Sequence, residues 1–195
     1  MPSRDRSAPI VTRPIQQAVL FADVSGSTRL YERLGDRLAL ALIERCVDVM
    51  QQATRRYQGS VVKTIGDEVM AVFADAVVAC RAAAEMHIMM LSYQGREYRV
   101  DDDHPTLSLG RDVRADIALQ DKLASRNHCR IEKTRDKFTF FDFSSNGSYV
   151  RIGEGEELLV RRESIALRDS GAICFGRPVD EEPAAAVRFE VVVKG

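Results

Sequence analysis

The chain has 195 residues, long enough for one large domain or two small ones. Hydrophobic residues make up 45% and charged residues 29%, a globular composition, and a formal net charge of −1 gives no overall pull toward nucleic acid or an anionic membrane. No apolar stretch approaches the ~20 residues of a membrane-spanning helix, and the opening MPSRDRSAPIVTRP lacks the apolar heart of a secretory signal, so the expected location is cytoplasmic, with no membrane and no nucleic-acid partner.

Residues 1–15 form a polar, proline-bracketed stretch that reads as a flexible tail. Ala18 to Val24 (AVLFADV) is a continuous apolar run of strand length and predicts a buried strand. Asp36 to Tyr57 then repeats apolar residues at helical spacing, with Ile43, Val47, Met50, Ala53 and Tyr57 on one stripe and Gly59 closing it. VVKTI (61–65) and EVMAVF (68–73) are separated only by Gly66-Asp67, a β-hairpin pattern. Residues 74–90, rich in Ala and Met, predict a second long helix. Strand, helix, strand, strand, helix makes an α+β unit over 16–90.

From Leu91 the helical period vanishes. LSY, REYRV, TLSLG, HCRIEKT, KFTFFDF, ELLV, ESIAL, AICFG and VRFEVVV follow, broken by Gly, Asp, Asn and Pro as in an all-β sandwich over 91–195. No linker separates the two regions. Cys46, Cys80, Cys129 and Cys174 are scattered, without a CxxC pair or a histidine at metal spacing, and read as reduced thiols.

Three short stretches end predicted strands of the second region: Leu109-Gly110-Arg111, Ser125-Arg126-Asn127-His128 and Ser145-Asn146-Gly147-Ser148. Each alone is ordinary turn chemistry; all three in this order closely resemble the forkhead-associated (FHA) domain. That resemblance covers essentially all of 91–195 and implies a β-sandwich that binds phosphothreonine peptides on loops at one end. Arg111 matches the arginine that grips the phosphate, a role suited to a bidentate guanidinium fork. Ser125 matches the serine that adds a hydroxyl to the same phosphate, and Arg126 stands where a second polar or basic phosphate contact is common. Asn146 matches the residue that holds the peptide main chain. His128 matches a buried histidine bracing the loop, and Gly110 and Gly147 supply tight turns. Ser145 and Ser148 replace threonines common in the family motif, keeping the hydroxyl and losing a methyl. The implied partners are a phosphothreonine-containing protein and its Ser/Thr kinase, which makes the chain an adaptor in intracellular signal transduction.

Residues 18–90 resemble the beginning of a class III adenylate/guanylate cyclase catalytic domain, through Phe21-Ala22-Asp23-Val24-Ser25-Gly26-Ser27-Thr28 and Lys63-Thr64-Ile65-Gly66-Asp67-Glu68. The resemblance implies a ferredoxin-like half-domain in which Asp23 and Asp67, with the backbone of Val24, hold Mg2+ or Mn2+ on a nucleotide triphosphate, while Lys63 reads the purine. The loop Ser25–Thr28, at a predicted helix N-terminus, is placed to receive phosphates. The family domain continues with strands that carry its transition-state residues, and these have no counterpart before the β-rich region. No cyclase activity is therefore expected from the chain alone, and the first domain reads as a remnant for dimerisation or nucleotide sensing. The alternative is a cyclic nucleotide biosynthesis subunit active only with a complementary full-length cyclase. The truncation also leaves the 18–24 strand with a free edge, to be covered by a strand exchanged or added in a homodimer or by the N-terminal tail. Thr12, with Ile15 three positions on, is a candidate self-ligand for the second domain.

Overall fold

The apolar run at the start of the described chain forms strand β1 (Ala18–Val24), whose inward residues Ala22 and Val24 are buried while Val19 and Phe21 face out. The structure is a computed structural model and describes residues 16–194. Two helices follow where the periodicity marks one: α1 (Ser27–Leu34) and α2 (Asp36–Arg56). Gly35 separates them at φ 74° and ψ 161°, a conformation that a residue with a Cβ resists. The hairpin is β2 (Ser60–Ile65) and β3 (Glu68–Phe73), turning at Gly66-Asp67.

Helix α3 (Ala76–Met86) is capped by Asp75, whose side chain accepts from Val78 N at 2.9 Å. It stops four residues short of the predicted helix. His87 is extended, and β4 (Met89–Tyr93) begins with a period of two: Met89, Leu91 and Tyr93 are buried and enter the sandwich core. Helical spacing would split that set between faces, so packing decides against the local Ala and Met preference.

The remaining strands are β5 (Arg96–Val100), β6 (Thr106–Gly110), β7 (Ile117–Ala118), β8 (Cys129–Thr134), β9 (Lys137–Asp142), β10 (Ser148–Ile152), β11 (Leu158–Val160), β12 (Ser164–Leu167), β13 (Ser170–Phe175), β14 (Val187–Val191) and β15 (Val193–Lys194). They form a six-stranded sheet, β11-β10-β13-β14-β4-β5, and a five-stranded sheet, β12-β9-β8-β6-β7. Between these lies a core that includes Leu109, Ile131, Phe138, Phe140, Ile173, Phe175 and Phe189. Strand β10 is absent from the predicted segments, hidden behind the loop reading of Ser145–Ser148.

The first sheet is ordered β15-β1-β3-β2, and its β15 comes from the far end of the chain. Val191 belongs to the sandwich core and the next residue, Val192, to the core of the first lobe. Val192 N donates to Ile88 O (3.0 Å), Ser25 N donates to Val192 O (2.8 Å), and β15 then pairs antiparallel with Asp23 and Val24. At Asp23 and Val24 the edge is thus covered from within the chain, where an exchanged strand or the N-terminal tail is expected; residues 1–15 lie outside the described residues. The chain supplies its own strand, and the sandwich is spliced between α3 and β15 of a split βαβ unit. The chain crosses the division at residue 90 twice. Lys133 ties the lobes further. Its side chain is fully buried, and its Nζ donates to Glu85 O in the last turn of α3 (3.0 Å) and pairs with Asp102 Oδ1 (3.1 Å). Arg56 of α2 is ion-paired with Glu85.

Candidate functional site

Sandwich strands converge at one end, where the β6–β7, β7–β8 and β9–β10 loops lie side by side. Strand β6 ends on Gly110 because nothing larger fits: a Cβ there would lie 2.1 Å from Arg126 O. That approach lets Arg111 N donate to Ser125 O (2.9 Å) and Asp112 N to Arg126 O (3.1 Å), lacing the first two loops together. The third loop joins through Ser145 N, 3.4 Å from the Ser125 Oγ it donates to, and through Asn146 Nδ2, which donates to Leu123 O at 2.9 Å. Gly147 turns the chain at φ 82° into β10, and a Cβ would meet Leu159 at 2.7 Å.

Beneath the loops runs a buried polar chain with a single direction. Ser125 N donates to His128 Nδ1 (2.9 Å), which fixes the ring proton on Nε2. His128 Nε2 then donates to Ser148 Oγ (3.1 Å), and Ser148 Oγ donates to Asp142 Oδ2 (2.6 Å). Asp142 also accepts from Ser144 N (2.8 Å), Ser144 Oγ (2.9 Å) and Arg162 N (3.1 Å). Burial pushes its carboxyl up, but hydrogen bonds from His128, Ser148, Arg162 and Ser144 outweigh burial and hold it at about 2. His128 and Ser148 are fully buried and Asp142 nearly so, and His128 packs edge-on against Phe175 with ring centroids 4.9 Å apart.

Arg111, Ser125, Arg126 and Asn146 therefore share one surface, with His128 and the two glycines underneath. Arg111 and Arg126 are exposed and, among the described residues, neither guanidinium makes a hydrogen bond or an ion pair. Asp112, the acid beside Arg111, is taken by Arg114 through two side-chain contacts of 2.8 and 3.0 Å, which hold its carboxyl well below the usual range. The surface is thus a ready anion receptor: free guanidinium groups beside a hydroxyl, on loops locked from below. Asp142 and Ser144 are not among the residues that the three loop motifs mark. The available signal was an acid ending the otherwise apolar KFTFFD strand, with serines two and six positions on.

In the first lobe, the turn at Gly66-Asp67 brings Asp67 to Asp23. Burial raises the Asp23 carboxyl, and the charge of Asp67 beside it raises it further. Lys63 and Phe21 both lie opposite Met70 on β3, so they share the sheet face away from the helices, one row from Asp23 and Glu68. A cleft of about 520 Å³ opens nearby, lined by Ser27, Tyr31, Ile43, Glu44, Asp48 and Asp67. The phosphate-receiving role expected of Ser25–Thr28 loses one donor, since Ser25 N is taken by Val192 O. Among the described residues no group of three or more His, Cys, Asp or Glu side chains is arranged to hold a metal, so Asp23 and Asp67 stand as a pair. Thr12 lies outside the described residues. The four cysteines are unpaired, and burial pushes Cys46 up to about 12 and Cys174 to about 11. Among the described residues, no helix is long and apolar enough to cross a membrane.

Comparison with known families gives one match, over residues 107–176. It is to the FHA domain. The matched segment runs from β6 to Gly176 and contains Arg111, Ser125, Arg126 and Asn146. Among solved structures, the chain is similar to FHA-1 of Mycobacterium tuberculosis Rv1747 at 24% identity, covering 54% of this chain and 96% of that one, with a TM-score of 0.42. It is similar to the FHA domain of CT664 from Chlamydia trachomatis at 23% identity, covering 55% and 97%, with a TM-score of 0.39. It is also similar to the N-terminal FHA domain of S. cerevisiae Rad53p, solved with a phosphothreonine peptide, at 15% identity, covering 55% and 92%, with a TM-score of 0.41. No curated protein matches the chain. The FHA match does not reach the first lobe.

Proposed function

We propose that this protein is a signalling adaptor whose FHA domain binds phosphothreonine peptides, written by a Ser/Thr kinase, through Arg111, Ser125, Arg126 and Asn146. The observation that carries the reading is Arg111. It is exposed and unpaired, its backbone is bonded to Ser125, and the neighbouring acid is already neutralised by Arg114. An anion receptor left open on rigid loops is the arrangement a phosphate monoester needs. The solved complex of Rad53p with a phosphothreonine peptide points to the same ligand class. Titration of phosphothreonine peptides and their unphosphorylated forms against wild type and Arg111→Ala tests it. Binding should need the phosphate and fall at least about tenfold in the variant. Binding indifferent to phosphate, or to Arg111, overturns it.

The first lobe serves in this reading as a dimerisation or nucleotide-sensing unit. Val19, Phe21, Val62 and Ile65 are all more than half exposed, a patch suited to a second copy. A second reading, a cyclase subunit completed by a full-length partner, is favoured by one observation, the close Asp23–Asp67 pair. Burial and then the charge of Asp67 raise Asp23, and a divalent cation relieves the second of these; Mg2+ asks for one or two carboxylates plus phosphates and water, so the residues fit Mg2+ or Mn2+ on a nucleotide. When bound, the ion would neutralise the triphosphate; Asp23 and Asp67 would hold it, and Lys63 would face the base. Calorimetry with Mg2+ and ATP or GTP, on wild type and Asp67→Asn, decides whether the pair binds nucleotide. Cyclic nucleotide formed only after a full-length cyclase is added would favour the enzyme.

A further inference from the structure

The loop that carries Ser125 has a buried acid beneath it, and the residue that grips this acid comes from outside the three loops. Asp121 lies past the end of β7, and its side chain is only 6% exposed. Its Oδ1 accepts from Leu123 N at 2.8 Å and its backbone O from Ala124 N at 3.2 Å, so the acid shapes the turn that leads to Ser125. Both carboxylate oxygens also accept from Arg177 Nη2, at 2.8 and 2.9 Å. Arg177 follows β13 and stands one residue beyond the segment matched to the FHA domain. Its Nη1 pairs with Glu182, and its buried Nε has no partner among the described residues.

The grip reaches the proposed peptide surface through Leu123. Its N is tied to Asp121, and its O accepts from Asn146 Nδ2 at 2.9 Å. Gly176, beside Arg177, packs under the same pair. Its N donates to Gly147 O at 2.9 Å, and a Cβ there would lie 3.0 Å from Leu123 Cβ and 3.2 Å from Asn146 Cβ. With Nδ2 turned to Leu123, the Asn146 amide presents Oδ1, which accepts nothing among the described residues. The exposed end of this side chain is therefore an acceptor, and Leu123, Asp121 and Arg177 set its direction in series. The His128–Ser148–Asp142 chain makes no hydrogen bond to those three among the described residues, so Asn146 has a support of its own.

Resting on the phosphopeptide reading, we infer that Arg177 is a positioning residue of the site, which grips Asp121, fixes Leu123 and so aims Asn146 Oδ1 at a main-chain N–H of the ligand. Arg177 touches no ligand itself. A preset acceptor avoids the rotamer entropy that a free surface asparagine loses on binding. Lysine at this position keeps the charge but cannot give the flat fork that meets Asp121 and Glu182 together.

The test is a double-mutant cycle. Phosphothreonine peptides are titrated against the full chain, Arg177→Met, Asn146→Ala, Arg126→Met and the pairs of Arg177→Met with each of the other two. Arg177→Met and Asn146→Ala should each weaken binding about five- to tenfold, and the two together no more than Asn146→Ala alone, because one acts through the other. With Arg126→Met the losses should multiply. Arg177→Lys should recover part of the affinity. Arg151→Met, which frees Asp180 in the same segment after β13 and leaves Asp121 untouched, should bind within about twofold of wild type. Without ligand, the Leu123 amide should exchange with deuterium about tenfold faster in Arg177→Met, while Lys133 N, bonded to Pro105 O at the far end of the sandwich, should not change. If Arg177→Met does not fold, Arg177→Lys and Asp121→Asn carry the same cycle. Losses that multiply between Arg177→Met and Asn146→Ala, or unchanged exchange at Leu123, overturn the inference. If phosphate-dependent binding is unaltered in Arg177→Met, only the inference falls; if no phosphopeptide binds the wild type, the phosphopeptide reading falls and the inference with it.

Discussion

Asp142→Asn tests whether the buried chain under the loops holds the site in place. The carboxylate accepts from Ser144, Arg162 and Ser148 and sits at about 2 against an ordinary value of 3.8. That depression corresponds to roughly 2 kcal/mol of stability at neutral pH. The sign follows from the folded value lying below the unfolded one: the stabilisation is complete above about pH 4 and disappears as the pH falls through about 2. Asparagine keeps one acceptor oxygen for Ser144 N and Arg162 N but turns an N–H toward Ser148, so the chain from His128 ends on two donors. The variant should lose about 2–3 kcal/mol at pH 7, or about 5–10 °C in Tm. Since the chain has no tryptophan, urea unfolding is followed by far-ultraviolet circular dichroism. The gap between wild type and variant should narrow steadily below pH 4. A gap under about 0.5 kcal/mol, or one unchanged between pH 7 and pH 3, refutes the reasoning.

Two further outcomes follow from the packing. Gly110→Ala places a Cβ 2.1 Å from a backbone oxygen that cannot rotate away, so the β6 end and the Ser125 loop must part. It should cost about 2–3 kcal/mol in urea unfolding and abolish phosphopeptide binding, whereas alanine at Gly153, where a Cβ meets nothing within 4 Å and the only strain is a φ of 58°, should cost about 1 kcal/mol and leave binding intact. Lys133→Met keeps the buried stem but strands Glu85 O and Asp102, and should cost about 1–3 kcal/mol. Lys137→Met, on an exposed side chain of the next strand, should stay within about 0.5 kcal/mol in the same urea unfolding.

Most strands of the sandwich are legible in the sequence because turn residues and period-two apolar runs are local signals, whereas β10 hides behind a loop pattern. The sequence also marked the loops that carry Arg111, Ser125 and Asn146, which the structure lays side by side. What it hid is non-local. Asp142 reads as the last residue of a strand, and only the fold shows that two serines and two backbone amides converge on it. Asp121 reads as one of many charges until Arg177 closes on it from beyond β13. The Ala and Met content of 74–90 favoured helix throughout, yet Met89 and Leu91 are needed on one face of a sheet that forms with β14, a hundred residues later.

The strongest non-local effect is at the edge of β1. Read in order, the first lobe lacks its last strand, and an exposed apolar edge follows. The missing strand lies instead after the sandwich, and its two residues pair where β1 ends, beside Asp23. The pairing of β14 with β4 fixes where β15 meets β1, because Val191 and Val192 are consecutive and enter different cores. Closing the first sheet joins β1 to β15 across almost the whole chain, a high-separation contact that costs loop entropy unless the sandwich has already brought the ends together. The sandwich does so: β4 and β14 are neighbours, and Ile88 and Val192, which flank them, are bonded to each other. The sandwich is thus also the clasp of the lobe that carries Asp23 and Asp67. Lys194, which follows closely on β14, stands opposite Asp23 in the register of the first sheet.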